Sequence, residues 1–473
     1  MRVVPGDRAG PDERNPLLND RFDAQTSRPP RTPGERNIAA LVEWNQRRSE
    51  ARYPPTEARR VRSAGIVGAG AMGTSIAAAA ISSNLRVVIT DIRQEALDSL
   101  RARMAAELAG ERECSLPQDP PEGDPLLQTT DDLAEVARCD LVLETVVEDI
   151  LKKTPLLLDL ERKLAPGAIL ASNTSTISIG RLAGRLSDPG RFCGIHFFQP
   201  VRRQFLVEVV FGPHSGRETL ATAATFAQSL GKMPLVVPDG PAFLVNRLMM
   251  LYFSEGLQLV AEGAPIEQVE QVAVDFGMAR GPMSLIDHIG LDVVLDCAWA
   301  LADPMGGRMA TSPLLVMMVK AGRLGRKSGE GFFRYAADGT KDANGKADPA
   351  LAPMLKRWAA EPKLQDPETI TARLFLPMLL EATRILAEGR LDDPRDVDLA
   401  VVFGFGFPPA RGGLLYWADT LGTRRILEML RPFRDTLGLR AEPTPLFMEM
   451  AAAGRRFYPD LTANGEEKDE NLS

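Results

Sequence analysis

The chain has 473 residues, 25% of them charged, with a formal net charge of −7 and a pI near 5.4. That length exceeds a single hydrophobic core and implies about three domains, while the acidic balance and 6% aromatic content exclude non-specific nucleic-acid binding, which needs a basic face and stacking rings. The four cysteines (Cys114, Cys139, Cys193, Cys297) and three histidines lack disulfide or metal-ligand spacing, which reads as reduced thiols in a cytoplasmic protein without a metal, and no run of about 18 apolar residues marks a membrane span.

Residues 1–60 form an extension without the apolar stretch of a secretory signal, and its first part, to Gly34, reads as disordered. A short amphipathic helix is predicted from Glu35 to Arg52, with Ile38, Leu41 and Val42 on one face and Pro54-Pro55 ending it. Packing on the next domain is its default role.

From Ser63 strands and helices alternate, and residues 61–240 read as a Rossmann-like α/β domain. Ala64-Gly65-Ile66-Val67 is an apolar strand, Gly68-Ala69-Gly70-Ala71-Met72-Gly73 a tight turn, Thr74 to Ser82 a helix, and Arg86 to Asp91 a second strand ending in an acid. In that order Gly68 allows the turn, Gly70 admits a pyrophosphate to the backbone, and Gly73 lets helix and strand pack closely. A carboxylate at Asp91 accepts ribose hydroxyls and repels a 2′-phosphate, so NAD is favoured over NADP. Further units follow: a helix from Arg93 to Leu108, a strand from Asp140 to Glu144, a helix from Leu151 to Leu164 and a strand from Ala168 to Ala171.

That last strand leads into Ser172-Asn173-Thr174-Ser175-Thr176, a polar cluster at a strand's carboxyl end, where ligands bind in open α/β sheets; helix capping is the competing role. Next, His196 lies within the apolar run Gly194-Ile195-His196-Phe197-Phe198-Gln199-Pro200, and Glu208 lies within Leu206-Val207-Glu208-Val209. A histidine beside a buried carboxylate is a general acid/base arrangement. Taken alone, the pattern also describes a hydrogen-bonded core histidine.

After Pro238-Asp239-Gly240-Pro241 helical patterns take over: a first helical domain at 241–336, a linker at 337–367, a second helical domain at 368–458 and a disordered tail at 459–473. The helix from Phe243 to Glu262 carries Asn246 near its start, either a ligand-binding amide or a structural cap. The two helical domains repeat weakly. Asn246-Arg247-Leu248, Glu262-Gly263, Phe276-Gly277, Gly281 and Asp287 to Gly290 find counterparts in Ala372-Arg373-Leu374, Glu388-Gly389, Phe403-Gly404, Gly413 and Asp419 to Gly422. The second copy lacks the asparagine, so only the first can form a site with it.

The glycine turn, Glu144-Thr145-Val146-Val147-Glu148, Ser172 to Ser175, His196-Phe197-Phe198, Leu206 to Val209, Val245-Asn246-Arg247 and Gly325 to Phe333 together resemble the 3-hydroxyacyl-CoA dehydrogenases. The likeness is stronger to the dehydrogenase portion of the multifunctional fatty-acid β-oxidation protein, whose extra helical domain the repeat from Arg373 to Gly422 resembles. It implies NAD-dependent oxidation of (S)-3-hydroxyacyl-CoA to 3-oxoacyl-CoA in fatty-acid β-oxidation. His196 would be the base, Glu208 its orienting acid, and Ser175 and Asn246 the partners of the substrate oxygen. Met72, Asp91, Val146, Val147, Glu148 and Lys153 would line the NAD site with the glycines.

The chain departs from the family at four places. Gln199 replaces an Asn whose amide would lie near the nicotinamide, Thr74-Ser75 follow the turn in place of Gly, Phe403 replaces Tyr, and Ala242 replaces a Gly at a helix start expected to tolerate the methyl. About 60 residues before the NAD domain are too few for the enoyl-CoA hydratase of the multifunctional protein. A separate hydratase or thiolase is then the implied partner, and the assembly a homodimer or a monomer. Two other readings stand beside this one: a non-catalytic NAD-binding subunit of a β-oxidation complex, and a dehydrogenase of a hydroxy acid not bound to CoA.

Overall fold

The structure, a computed structural model, describes residues 30, 32–109, 126–336, 341, 345–389, 391 and 393–459; the expected disorder of residues 1–29 and 460–473 lies outside them. Helix α1 (Pro33–Arg52) starts earlier than its apolar spacing indicates, because Thr32 and Glu35 form a capping box ahead of Pro33. Gly34 is therefore helical rather than disordered, and a Cβ there would meet the Ala410 carbonyl oxygen at 2.3 Å. The helix buries Ile38, Leu41, Asn45 and Ser49. It reaches from the sheet, where Asn45 donates to the Pro234 carbonyl at 3.0 Å, to the second helical unit, where Asn37 donates to the Gly412 carbonyl at 2.8 Å and Arg48 pairs with Asp396.

Eight strands form one sheet: β1 (Ser63–Val67), β2 (Arg86–Thr90), β3 (Leu127–Thr129), β4 (Leu141–Glu144), β5 (Ile169–Ser172), β6 (Phe192–Phe197), β7 (Leu206–Phe211) and β8 (Met233–Pro238). Their order is β3-β2-β1-β4-β5-β6-β7-β8, and every pairing is parallel except β6 with β7. Successive residues feed opposite faces. Ile66, Ile89 and Leu143 pack with Ile76 of helix α2 (Ala71–Ser82), while Val67, Val88 and Val142 join a core continuous with the helical units. The helix expected from Arg93 to Leu108 is broken into Gln94–Asp98 and Leu100–Ala109; the Ser99 hydroxyl donates to the Glu95 carbonyl at 2.7 Å, a back-bond that bends helices.

The helical half is two copies of one unit, with α3 (Val245–Ala261), α4 (Ile266–Phe276) and α5 (Pro282–Ile289) in the first and α6 (Pro367–Ala387), α7 (Pro394–Phe405) and α8 (Leu414–Leu421) in the second. The long helices α3 and α6 pack on each other through reciprocal ion pairs. Arg247 binds Glu381 at 2.7 Å and reaches Glu388, while Arg373 binds Glu255 at 2.6 Å and reaches Glu262. In both copies an aspartate near the end of the third helix, Asp287 or Asp419, accepts two backbone amides from the unit's last segment. The alignment of the repeat shifts at one point: α4 and α7 end in the left-handed glycines Gly277 and Gly406, so Phe276-Gly277 matches Phe405-Gly406 and not Phe403-Gly404. The expected linker contains helix Ala352–Trp358, held by buried Leu351 and by Met354, Leu355 and Trp358 against the core. Among the described residues no helix is long and apolar enough to cross a membrane.

Candidate active site

The fold imposes a steric demand on two of the three glycines in the turn after β1 and leaves open space at the third. Gly68 has φ +111°, a Cβ on Gly73 would meet the Gly68 carbonyl oxygen at 1.8 Å, and a Cβ on Gly70 would meet nothing within 4 Å. The space over Gly70 belongs to a cavity of about 420 Å³ lined also by Ala71, Arg93, Ser99 and Arg103. Helix α2 starts at Ala71, so its unpaired first amides lie at that cavity. Just beyond β2, Asp91 accepts the Ala69 amide at 2.8 Å. Open backbone, helix start and acid together fit the pyrophosphate and ribose of a dinucleotide.

The antiparallel register of β6 and β7 sets His196 opposite Glu208. The two are buried, and His196 Nδ1 lies 2.8 Å from Glu208 Oε2. The other oxygen, Oε1, accepts the amides of Leu244 and Val245 at 3.1 and 2.9 Å, at the first turn of α3. One carboxylate thus orients the histidine and caps the helix that opens the next unit. With Nδ1 so engaged, Nε2 is left for a second partner. Phe198 and Phe243 flank the imidazole with ring centroids at 4.5 and 5.7 Å. Asn246 follows directly and donates Nδ2 to the Ser175 carbonyl at 3.2 Å. The capping role open to Asn246 in the sequence is therefore filled by Glu208.

Ser175 donates its amide to Glu148 at 2.8 Å, and its hydroxyl has no partner among the described residues. Glu148 also accepts Thr174 Oγ1 at 2.6 Å and both the amide and hydroxyl of Thr176 at 2.8 and 3.0 Å. Burial works against its charge, but Lys153 and the Thr174 and Thr176 donors outweigh it and hold the carboxyl below the usual range. The polar cluster does not cap the following helix, since Ser178 caps Ile179–Ala183. Lys153 is 1% exposed; its ammonium binds Glu144 at 2.7 Å and the Val146 carbonyl at 3.2 Å and lies 3.4 Å from Glu148. It acts from behind the site.

Glu208 thereby ties His196 to the start of α3, and Asn246 one residue further on ties α3 through Ser175 to Glu148, which joins β6, β7, α3 and the loops after β4 and β5. Val147 is exposed beside Glu148, Val146 and Met72 are half-buried, and Gln199 is exposed on the loop after β6. Three residues of the quoted motifs take supporting roles that their sequence does not assign, and a fourth residue, Asp296, carries no sequence signal. Glu144 is fully buried and binds Ser172 Oγ at 2.6 Å as well as Lys153, nine residues on. Asn173 accepts the Phe197 amide at 2.9 Å, tying the site loop to β6. Thr145 donates to the Val67 and Gly68 carbonyls at 3.1 and 2.9 Å and braces the glycine turn. Asp296, on helix Leu291–Met305, is brought near Glu148 by folding alone; burial, Asp292 and Glu148 push its carboxyl up.

A dinucleotide turn at the carboxyl end of β1, inside a mainly parallel sheet, with a carboxylate-held histidine at the junction to a helical unit, defines an NAD-dependent oxidoreductase. Residues 63–240 match the family model described as 3-hydroxyacyl-CoA dehydrogenase, NAD binding domain, and residues 243–335 and 370–457 match the C-terminal domain of the same family. The chain belongs to the 3-hydroxyacyl-CoA dehydrogenase family. It is 35% identical over 405 residues to the fatty acid oxidation complex subunit alpha of Shewanella sp. (strain MR-4), a match covering 85% of this chain and 57% of that protein. The chain therefore spans little more than half the length of that curated relative. Among solved structures, a 3-hydroxybutyryl-CoA dehydrogenase from Escherichia coli K12 superposes with a TM-score of 0.69 at 25% identity, covering 84% of this chain and 99% of that one. The dehydrogenase part of multifunctional enzyme 1 from C. elegans gives 0.59 at 26% identity, covering 83% and 90%.

Proposed function

We propose that this chain oxidises (S)-3-hydroxyacyl-CoA to 3-oxoacyl-CoA in fatty-acid β-oxidation, with His196 as the base. The observation that carries the reading is the 2.8 Å contact of His196 Nδ1 with Glu208, whose carboxylate also accepts the amide of Val245, next to the Asn246 that donates to the Ser175 carbonyl. An alcohol is too weak an acid to release its proton unaided, so the site needs a base active near neutral pH. Glu208 holds the tautomer with the proton on Nδ1, presents Nε2 to the substrate hydroxyl and balances the imidazolium that forms. The Ser175 hydroxyl and the Asn246 amide position the substrate oxygen, and Glu148 holds the Ser175 loop in place. NAD⁺ supplies the hydride acceptor when bound. Gly68, Gly70, Met72, Gly73, Asp91, Val146, Val147, Glu148, Lys153, Ser175 and Gln199 make up its proposed site.

The names of the relatives support the same substrate class: one is a subunit of a fatty acid oxidation complex, another a 3-hydroxybutyryl-CoA dehydrogenase. We place the protein in the cytoplasm, with a separate enoyl-CoA hydratase or thiolase as its partner, and take 61–240, 241–336 and 368–458 as its three domains. The test is oxidation of NADH by acetoacetyl-CoA, compared with the reduction of a free 3-oxo acid. Turnover of the thioester supports the proposal. Turnover of the free acid alone favours a dehydrogenase of a CoA-free hydroxy acid, and no turnover by folded, NAD-bound protein favours a non-catalytic subunit.

A further inference from the structure

The second helical copy lacks the asparagine of the first, yet it packs directly on the His196–Glu208 arrangement. In the aligned repeat Phe403 and Gly404, on α7, stand where α4 has Val274 and Asp275. Val274 is 46% exposed and Asp275 is exposed, whereas Phe403 is buried and Gly404 half-buried. One copy leaves this face to solvent, and the other covers it. The Phe403 ring meets Phe205, the residue before β7, edge-on with centroids 5.5 Å apart. Gly404 lies against Val245, the first residue of α3. Between these two seats stands Glu208, carried by β7 and accepting the Val245 amide at 2.9 Å.

The backbone at Gly404 is helical and lacks the positive φ of Gly406, so its conformation does not call for glycine. Space does. A Cβ there would lie 2.5 and 2.8 Å from the two Cγ atoms of Val245 and 3.2 Å from its Cβ, inside the roughly 3.5–4.0 Å at which carbon atoms pack. Val245 is fully buried and β-branched, so its methyl groups have little freedom to turn away. A side chain at position 404 therefore displaces α7 or the start of α3. A shifted α3 draws the Val245 amide off Glu208, whose other oxygen lies 2.8 Å from His196 Nδ1. We propose that Gly404 is a positioning residue for the reaction: by seating α7 on Val245 it fixes the Val245 amide, and through it the Glu208 carboxylate against His196. The second helical copy then serves as a brace for the site of the first. This rests on His196 acting as the base.

The test measures NADH oxidation by acetoacetyl-CoA, with kcat expressed per NADH-binding site, for the wild-type full chain, Gly404→Ala, Val245→Ala and the double variant. Gly404→Ala is expected to lose about tenfold or more in kcat, while KM for acetoacetyl-CoA and the NADH affinity stay within about threefold. Once the Val245 methyl groups are removed, adding Gly404→Ala should cost less than about threefold relative to Val245→Ala alone. That rescue separates the contact from a general loss of folding. Equal kcat in wild type and Gly404→Ala would overturn the proposal, as would the same loss in both backgrounds. Should Gly404→Ala fail to fold by thermal melting, Val245→Ala alone decides. It loosens the contact from the other side and is expected to lower kcat at least about threefold at unchanged NADH affinity; an unchanged kcat contradicts the brace. Should folded, NADH-binding wild type turn over no thioester, the reaction assigned to the site fails instead. The brace is then read from the ¹⁵N resonances of the His196 ring, identified by their loss in His196→Ala. A shift in Gly404→Ala that the double variant reverses supports it, and no shift overturns it.

Discussion

The Glu208 carboxylate accepts the Val245 amide at 2.9 Å while its second oxygen lies 2.8 Å from His196 Nδ1. The histidine and the start of the helical half therefore depend on one buried side chain. In Glu208→Gln the amide oxygen can still cap α3, but its NH₂ must face Nδ1 and forces the proton onto Nε2, the wrong tautomer for a base. The variant is expected to lose roughly 10²- to 10⁴-fold in kcat with little change in unfolding midpoint. Glu208→Ala, which also uncaps α3, should in addition lose about 1–3 kcal/mol of stability in denaturant titrations.

The buried ion pairs between the helical copies set a second expectation. Arg373 and Glu255 are 5% and 1% exposed, and Arg440 also binds Glu255 at 2.7 Å. Arg373→Ala should destabilise by roughly 3 kcal/mol, the low end for a broken buried pair, because Arg440 still meets Glu255. The exposed pair Arg425–Glu428, with side chains 58% and 67% exposed, should give about 0.5 kcal/mol or less when Arg425 is changed to Ala. Comparable effects at the two positions would contradict this ranking.

Ala242 and Phe243 have φ of 50° and 61°, in the left-handed region that favours glycine. The expectation that a helix start tolerates the extra methyl at Ala242 is therefore corrected: the residue precedes α3, which begins at Val245, and sits in a turn that glycine enters without strain. Ala242→Gly is expected to stabilise by about 1 kcal/mol in thermal unfolding, and a destabilising result would show the turn to be unstrained.

Glu148 supplies the pH dependence. Its carboxyl is held below the ordinary range in the folded protein, despite burial, by Lys153 and the threonine donors. A lowered folded value means that its contribution is present above the unfolded value of about 4.3 and is lost as pH falls through the folded one. Wild type should accordingly lose stability on acidification over that interval, and Glu148→Gln should lose less across the same range. Parallel stability curves would contradict the assignment.

The sequence conveyed the parts of this protein that depend on short spacing. Gly68, Gly70, Gly73 and Asp91 lie within one strand-turn-helix-strand unit, and the steric need for each glycine can be argued without the fold. The repeat in the helical half was legible because Arg247 and Arg373, and Glu262 and Glu388, hold the same places in their helices, although their reciprocal pairing across α3 and α6 was not. Contacts made by register stayed hidden. His196 meets Glu208 because β6 and β7 run antiparallel, a pairing that the apolar pattern of two strands does not specify. Asp296 approaching Glu148 from the helical unit depends on packing between elements far apart in sequence.

The most direct measurement is NADH oxidation by acetoacetyl-CoA, run side by side for wild type and His196→Ala, with NADH affinity determined on both proteins. Turnover by wild type, a loss of about 10²-fold or more in the variant, and unchanged NADH affinity are expected if His196 is the base. Equal turnover in the two proteins would contradict that role.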